Sequence, residues 1–205
     1  MLNFELSKFE REGYCIFDPE VNEQTLIKAK SSFDKIFNYC KELKYNYVRV
    51  YDDYSSEINL SGIEKIFNHE IIDQNLINLI QESKIIDTAK KILNDDDLVM
   101  TLSRYHVTKK FTHLGIWHRD GHPKKLHSVQ MNIYLYDETG MEIIPKSHTR
   151  ENFDHEKKIM GKYQFNDLPN QFPLSAKAGD VCAFNPSLIH RGKTLRDRAH
   201  LHFRF

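Results

Sequence analysis

Apolar and polar positions alternate along two segments in the second half of the chain. In residues 128–136, one set of alternate positions is apolar and the other is polar or aromatic: Val129, Met131, Ile133 and Leu135 against Gln130, Asn132, Tyr134 and Tyr136. Residues 198–205 repeat the pattern, with Ala199, Leu201, Phe203 and Phe205 against Arg198, His200, His202 and Arg204. Because side chains on a strand alternate between its faces, both segments are predicted to be strands with one apolar and one polar face.

Short strands are predicted along the rest of this half. They lie at 98–107, 114–120, 141–144 and 181–184, separated by Gly, Pro, Asp and Asn. Strands do not alternate with helices, as a parallel sheet requires, so the pattern favours an antiparallel sandwich or barrel. An apolar outer face suits a sheet covered by helices, and a polar inner face suits a lumen that holds a ligand.

Helical spacing marks the first half. Asn22 is a candidate cap for a helix with apolar positions at Leu26, Phe33, Ile36, Phe37 and Cys40. A second helical region spans 74–93, with Ser83 as a candidate cap inside it, while 45–60 shows no pattern that assigns it to an element. The expected fold class is α+β: one domain over 1–205, with an all-β core at about 98–205 and N-terminal helices at about 1–97 packed on one sheet.

Charge and composition exclude some partners. Lysine plus arginine and aspartate plus glutamate both number 29 among the 205 residues, so no global field attracts nucleic acid or an anionic membrane. The chain shows neither a signal peptide nor an apolar run of membrane-spanning length, and this predicts a soluble, cytoplasmic protein. Its oligomeric state is left open.

Candidate chemistry is concentrated in Trp117–Gly121 (WHRDG) and at His190. On a strand, His118 and Asp120 point the same way, and a distant histidine completes a triangle. Two histidines and one carboxylate are the ligand set of non-haem Fe(II) oxygenases. His-x-Asp alone is common and also occurs in the catalytic loop of protein kinases. That alternative is rejected, because Lys125 stands where a kinase needs Asn and the glycine-rich loop and D-F-G segment are absent.

A family resemblance supports the interpretation of these residues as metal ligands. Ala178–Phe184 (AGDVCAF), followed by His190–Gly192 (HRG), resembles a segment of the phytanoyl-CoA dioxygenase-like (PhyH-type) Fe(II)/2-oxoglutarate oxygenases. Gly140–His148 (GMEIIPKSH) is similar to the family's Pro-Gly-Ser-His turn, with Lys146 in place of the usual glycine. Phe9–Tyr14 (FEREGY) is similar to its N-terminal opening. The pieces occur in the family's order and span most of the chain.

The resemblance implies a double-stranded β-helix (jelly roll, cupin-like) with iron held by His118, Asp120 and His190. The cosubstrate would be 2-oxoglutarate, whose distal carboxylate the family binds with an arginine on the last strand. Arg198 matches that position, with a shorter spacing after His190 than in many members, and Arg204 is the alternative. A guanidinium suits this role because its parallel donors match a carboxylate. Gln130, Asn132 and Tyr105 either add hydrogen bonds to the cosubstrate or substrate or are ordinary polar residues of the lumen.

The reaction implied is hydroxylation of a small polar or charged molecule by dioxygen, with release of succinate and carbon dioxide. Asp120 favours oxygenation, since related halogenases have a small residue there. A basic rim around Arg119, His122, Lys124, Lys125 and His127 either recruits an anionic substrate or is a solvated loop. His200 and His202 either line the lumen or belong to a second metal site. Two other functions stay open: a cupin-like metalloenzyme that does not use 2-oxoglutarate, and a catalytically silent jelly-roll binding module.

Overall fold

Helices precede and cover an antiparallel β core. The structure, a computed structural model, describes the backbone of residues 4–43, 48–52, 58–64, 73–108, 116–123, 125–162, 166–192 and 198–205, and the side chains of 4–36, 73–101, 116–123, 125–162, 166–192 and 199–205. The helices are α1 (Leu6–Glu12), α2 (Glu23–Leu43), α3 (Gln74–Glu82), α4 (Ile85–Leu93) and α5 (Asp154–Ile159), with a 3-10 turn at Ser147–Thr149. The strands are β1 (Tyr14–Phe17), β2 (Val48–Asp52), β3 (Ile58–Glu64), β4 (Leu102–Thr108), β5 (Gln130–Tyr134), β6 (Met141–Ile144), β7 (Phe172–Pro173), β8 (Val181–Phe184), β9 (Ile189–Gly192) and β10 (Arg198–Arg204).

Two antiparallel sheets make up the core of the described chain. The larger has the strand order β1-β8-β5-β10-β4-β3-β2, and the smaller has the order β7-β6-β9. β5 lies between β8 and β10, and its register sets Gln130 opposite both Phe184 and Arg204. The predicted jelly roll with flanking helices is confirmed. Of the candidate site residues, Gln130 lies on β5, His190 on β9 and Arg204 on β10.

The outer face of the large sheet is apolar and covered by the N-terminal helices, as predicted. Residues of β5 and β10 pack in one buried cluster with residues of α1 to α4; its members include Met131, Ile133, Leu201, Phe203, Phe9, Phe33, Leu76, Leu79, Ile85 and Ala89. Each such side chain contributes about 1.5–3 kcal/mol through removal from water. This packing fixes the orientation of both strands, so their alternate side chains must point into the space between the sheets.

That inner space is not polar throughout, and this corrects the expectation of a polar lumen. At one end both sheets contribute to an apolar cluster of Tyr134, Met141, Ile143, Leu174, Ala176, Cys182, Phe184 and Leu188. The polar side chains Gln130, Asn132, His190 and His200 are buried beside it. The sequence pattern of β5 and β10 did not reveal the apolar residues that β6 and the segment before β8 supply.

Several element boundaries differ from the sequence predictions. Residues 116–120 are not a strand; His118 forms a single bridge to β9 instead. Asn22 caps as expected, its Oδ1 accepting from the Gln24 amide at 2.9 Å. Ser83, however, ends α3 and donates to the Ile80 carbonyl at 2.6 Å, while Lys84 precedes α4 in a left-handed conformation with φ 54°. Among the described residues, no helix combines the length and the apolar character needed to cross a bilayer.

Candidate metal centre

His118 and His190 lie side by side because their backbones pair. The His118 amide donates to the His190 carbonyl at 3.0 Å, and the His190 amide donates back to His118 at 3.0 Å. Residues that pair directly in an antiparallel bridge point to the same face, and the two ring centroids are 4.3 Å apart. The Asp120 amide donates to the Pro186 carbonyl at 2.8 Å. The turn before β9 therefore positions the carboxylate relative to both histidines.

Backbone carbonyls orient both imidazole rings. His118 Nδ1 lies 2.8 Å from the Ile116 carbonyl oxygen, and His190 Nδ1 lies 2.9 Å from that of Leu188. A carbonyl only accepts, so each Nδ1 carries the proton and each Nε2 of the neutral ring is left with a lone pair. The Nε2 atoms lie 3.7 Å (His118) and 3.8 Å (His190) from the oxygens of Asp120. Metal-binding histidines typically donate a hydrogen bond from the ring nitrogen that does not bind the metal, as these two do to backbone carbonyls.

The three side chains form a ligand set for one metal ion. Among the described residues, His118, Asp120 and His190 are the one group of three such side chains that converges, with all ligand atoms within 4.8 Å of one another. Two imidazole nitrogens and one carboxylate suit non-haem Fe(II) and leave other coordination positions open. The chemistry of the donors and the orientation of both rings thus fit iron.

Charge at the site agrees with metal binding. Burial, with the neighbouring His118 acting in the same direction, lowers the pKa of His190 to about 4, so this imidazole is neutral at neutral pH. Burial alone would raise the pKa of Asp120. Its pKa is nevertheless lowered, because His190, a hydrogen bond from Gln130, His118 and Arg204 together favour the carboxylate. A neutral imidazole and an ionised carboxylate are the forms that bind a divalent cation.

Trp117 and Arg191, each next in sequence to a candidate ligand, pack against each other on the side opposite to the metal site. We call this pair the outer brace. The Arg191 guanidinium lies over the Trp117 ring, 4.4 Å from its centroid. Arg191 Nε donates to Glu142 at 2.7 Å and Nη2 to Asp167 at 2.5 Å. Trp117 Nε1 donates to the Asn166 carbonyl at 3.1 Å. This brace was missed from the sequence, although alternation already indicated that 117 and 191 face away from the metal.

Arg119 does not belong to a basic rim, and that part of the expectation is wrong. Its guanidinium donates to the Ser147 carbonyl at 2.8 Å and to Asn152 Oδ1 at 2.7 Å, and it also contacts the Ser187 carbonyl. Burial lowers its pKa to about 10, which leaves it charged at neutral pH. Arg119 therefore ties the metal-binding loop to the 3-10 turn and to the turn before β9 rather than facing a ligand.

The other candidate contacts are placed in two groups. Gln130 and Arg204 both contact the carboxylate of Asp120. Asn132 instead accepts a hydrogen bond at its Oδ1 from His202 Nδ1 at 2.8 Å. The backbone of β4 sets Tyr105 opposite Leu201, and β10 begins at Arg198. The side chains of Tyr105 and Arg198 lie outside the described part of the structure. No third ligand for a second metal at His200 and His202 was found among the described residues.

Solved structures share this fold. AviO1 from Streptomyces viridochromogenes Tue57 has a TM-score of 0.71 at 14% identity, with 97% of this chain and 91% of that chain covered. EctD from S. alaskensis, crystallised with 2-oxoglutarate and 5-hydroxyectoine, has a TM-score of 0.71 at 16% identity, with coverage of 97% and 73%. SnoK, a non-haem α-ketoglutarate-dependent carbocyclase from nogalamycin biosynthesis, has a TM-score of 0.68 at 14% identity, with coverage of 98% and 83%. At these identities the likeness establishes the fold.

Family membership comes from the sequence. No curated protein sequence matches the chain. The family model of phytanoyl-CoA dioxygenase (PhyH) matches residues 9–197, a span that includes His118, Asp120 and His190. The match confirms the resemblance and the predicted class, a non-haem enzyme that depends on Fe(II) and 2-oxoglutarate. The chain belongs to the phytanoyl-CoA dioxygenase family.

Proposed function

We propose that the chain hydroxylates a small polar or charged molecule, with His118, Asp120 and His190 holding Fe(II). The observation that supports this most is the convergence of two Nε2 lone pairs and one carboxylate, with both rings fixed by backbone carbonyls. Bound iron would supply the oxidative chemistry by which 2-oxoglutarate, dioxygen and a substrate with a C–H bond give succinate, carbon dioxide and the hydroxylated substrate.

Arg198 is our candidate for the distal carboxylate of 2-oxoglutarate. It begins β10 and shares an alternate position of that strand with His200, His202 and Arg204. Arg204, at the other end of the strand, already contacts the carboxylate of Asp120 at 3.2 Å. The distal carboxylate is the end of 2-oxoglutarate that does not bind the metal, so an arginine farther along the strand suits it better. A paired guanidinium would fix the cosubstrate's direction.

Aromatic packing limits water on one side of the centre. The Phe184 ring lies edge-on to His190, with centroids 5.3 Å apart, and 6.3 Å from the His202 ring. Phe184 is buried and belongs to the apolar cluster. We infer that it keeps bulk water from the histidine side of the site and leaves the other side for cosubstrate and substrate.

Hydroxylation is one of several outcomes that this fold supports. SnoK is named a carbocyclase and SnoN an epimerase, whereas EctD was crystallised with a hydroxylated compound, 5-hydroxyectoine. Asp120 supplies the carboxylate that halogenases lack, so it favours hydroxylation or another oxidation over halogenation, and hydroxylation is the oxidation that we propose. A cupin-like metalloenzyme without 2-oxoglutarate and a silent binding module are the alternatives, and a cytoplasmic location remains a prediction.

The test is turnover of 2-oxoglutarate. Protein supplied with Fe(II), 2-oxoglutarate and oxygen should form succinate slowly without substrate and faster with a suitable member of a panel of small polar and charged compounds. Asp120→Ala should abolish succinate formation, whereas Asp154→Ala, at an exposed carboxylate on α5, should retain it. Iron-loaded protein that forms no succinate with any compound would exclude the oxygenase function.

The cosubstrate anchor is tested separately. Arg198→Ala should weaken 2-oxoglutarate binding by about tenfold or more, the loss expected for a charged hydrogen-bonded pair. The affinity of the Arg198→Ala protein for Mn(II), used as an unreactive substitute for Fe(II), should change little. Unchanged affinity for 2-oxoglutarate would remove Arg198 from this role.

A further inference from the structure

The two oxygens of Asp120 have different surroundings. Gln130 Nε2 donates to Oδ2 at 2.6 Å, and Arg204 Nη2 lies 3.2 Å from the same oxygen. Within the described part of the chain, Oδ1 has no hydrogen-bond donor. Oδ1 lies 3.7 Å from His118 Nε2 and Oδ2 lies 3.8 Å from His190 Nε2, so the donors and not the distances to the histidines distinguish the two oxygens. One oxygen is therefore engaged by a neutral and a cationic donor, and the other is left for a metal ion.

The sheet places both donors. Gln130 on β5 and Arg204 on β10 are direct partners in the antiparallel register, so their side chains leave the same face beside each other. Gln130 is fully buried. A buried glutamine has few alternative rotamers, and thus its amide is held against Oδ2 before any ligand binds.

Neither side chain is explained by packing alone. Gln130 Oε1 and Arg204 Nε are buried, and neither has a hydrogen-bond partner among the described residues. Burying an unpaired polar atom costs about 1–3 kcal/mol. Apolar residues of similar size would avoid that cost. The fold keeps these two polar groups at the one place where they reach a metal-binding carboxylate, which indicates a function at the metal.

We propose that Gln130 and Arg204 are positioning residues that restrict Asp120 to binding the metal through Oδ1 alone. This inference rests on the proposed function. An ion with six positions, held by two histidines and one oxygen of Asp120, would keep three positions free for 2-oxoglutarate and dioxygen. A carboxylate bound through both oxygens would occupy a fourth position. The cosubstrate could then still bind, but the position for dioxygen would be lost.

The experiment counts water molecules on Mn(II) bound to the protein, from the broadening of its EPR lines by ¹⁷O-labelled water. The wild-type protein should show three bound waters. Gln130→Leu combined with Arg204→Met should show two, because freed Oδ2 joins the metal. If the double variant does not fold, Gln130→Leu and Arg204→Met are measured singly. Because one donor to Oδ2 remains in each, the average number of bound waters should lie between two and three, and Arg204→Lys should give three. Arg11→Met, which removes an exposed arginine paired with Glu12 and not with any candidate metal ligand, is the matched control.

The binding of 2-oxoglutarate and the formation of succinate are measured on the same variants. The variants should bind 2-oxoglutarate within about threefold of the wild type, while succinate formation falls by about tenfold or more. Three waters in every variant would overturn the proposal. A tenfold loss of 2-oxoglutarate affinity with three waters retained would also overturn it and would make the pair cosubstrate ligands. Failure of the wild-type protein to bind Mn(II) would instead refute the proposed function itself.

Discussion

The two ends of the space between the sheets share strands but differ in character. Tyr134 and Gln130 are the two ends of β5: Tyr134 belongs to the apolar cluster, and Gln130 contacts Asp120. At the apolar end, burial raises the pKa of the Cys182 thiol to about 12, as expected in a dry environment. At the other end, charged and polar groups converge. The same strands thus carry a dry, packed end and a polar end with the metal ligands, so a change at one end is expected to leave the other largely intact.

Removing the outer brace should have the largest effect on stability. Arg191→Met removes the cation that pairs with the buried Glu142 carboxylate and with the exposed Asp167 carboxylate, and removing one partner of a buried ion pair costs about 3–5 kcal/mol. We expect a loss of that size in the free energy of unfolding, measured by urea denaturation. Arg11→Met should change it by less than about 1 kcal/mol. Equal effects of both variants would show that the brace contributes no special stability.

A cavity at the apolar end should separate stability from metal binding. Leu174→Ala removes a buried side chain from the apolar cluster, and such changes cost about 2–5 kcal/mol. The affinity for Mn(II) should stay within about threefold of the wild type, because no ligand or ligand partner is touched. Calorimetry on the folded variant checks this. A large loss of metal affinity would mean that the two ends are not independent.

His148 makes stability depend on pH next to the apolar end. Its Nε2 donates to the Glu10 carbonyl at 3.0 Å, Nδ1 is buried without a partner among the described residues, and burial lowers the pKa of this histidine. The unfolded chain therefore takes up a proton at a higher pH than the folded protein does. Stability should fall as the pH drops below about 6.5. His148→Gln should flatten this part of the profile in thermal unfolding, and an unchanged slope would assign it to other groups.

Lys146 should show the smallest effect. It has φ 66°, a left-handed conformation that favours glycine, and its exposed ammonium lies 3.7 Å from the partly buried Glu12 carboxylate. Lys146→Gly relieves backbone strain but loses that weak pair and adds freedom to the unfolded chain. We expect a net stabilisation of about 0.5 kcal/mol, read as a small rise in Tm. A clear fall in Tm would mean that the pair outweighs the strain.

The pattern of apolar and polar residues within single segments was enough to predict several strands. Alternation identified β5 and β10, and the apolar runs at β6 and β8 were confirmed with their bounds. The family turn with Lys146 in the glycine position also has a physical basis, since that residue adopts the backbone conformation that favours glycine. The three candidate ligands come together because His118 and His190 pair through the backbone.

Long-range contacts account for what was missed. Arg191 lies 49 residues from Glu142 and 24 from Asp167, and no periodicity connects them. The direction of Arg119 depends on carbonyls of two separate turns. Ser83 was expected to begin a helix, because a hydroxyl suits that position, but its donation to Ile80 ends one instead. The choice of Oδ2 by Gln130 and Arg204 requires the register of β5 and β10, which the sequence does not state.

The most direct test of the central claim is anaerobic titration of 2-oxoglutarate into protein loaded with Fe(II). Chelation of iron by the cosubstrate should give a visible metal-to-ligand charge-transfer band that saturates with 2-oxoglutarate. Asp120→Ala should not develop that band under the same conditions, and Asp154→Ala should match the wild type. Saturating 2-oxoglutarate that produces no band on iron-loaded wild-type protein would contradict the assignment of this centre to Fe(II) and 2-oxoglutarate.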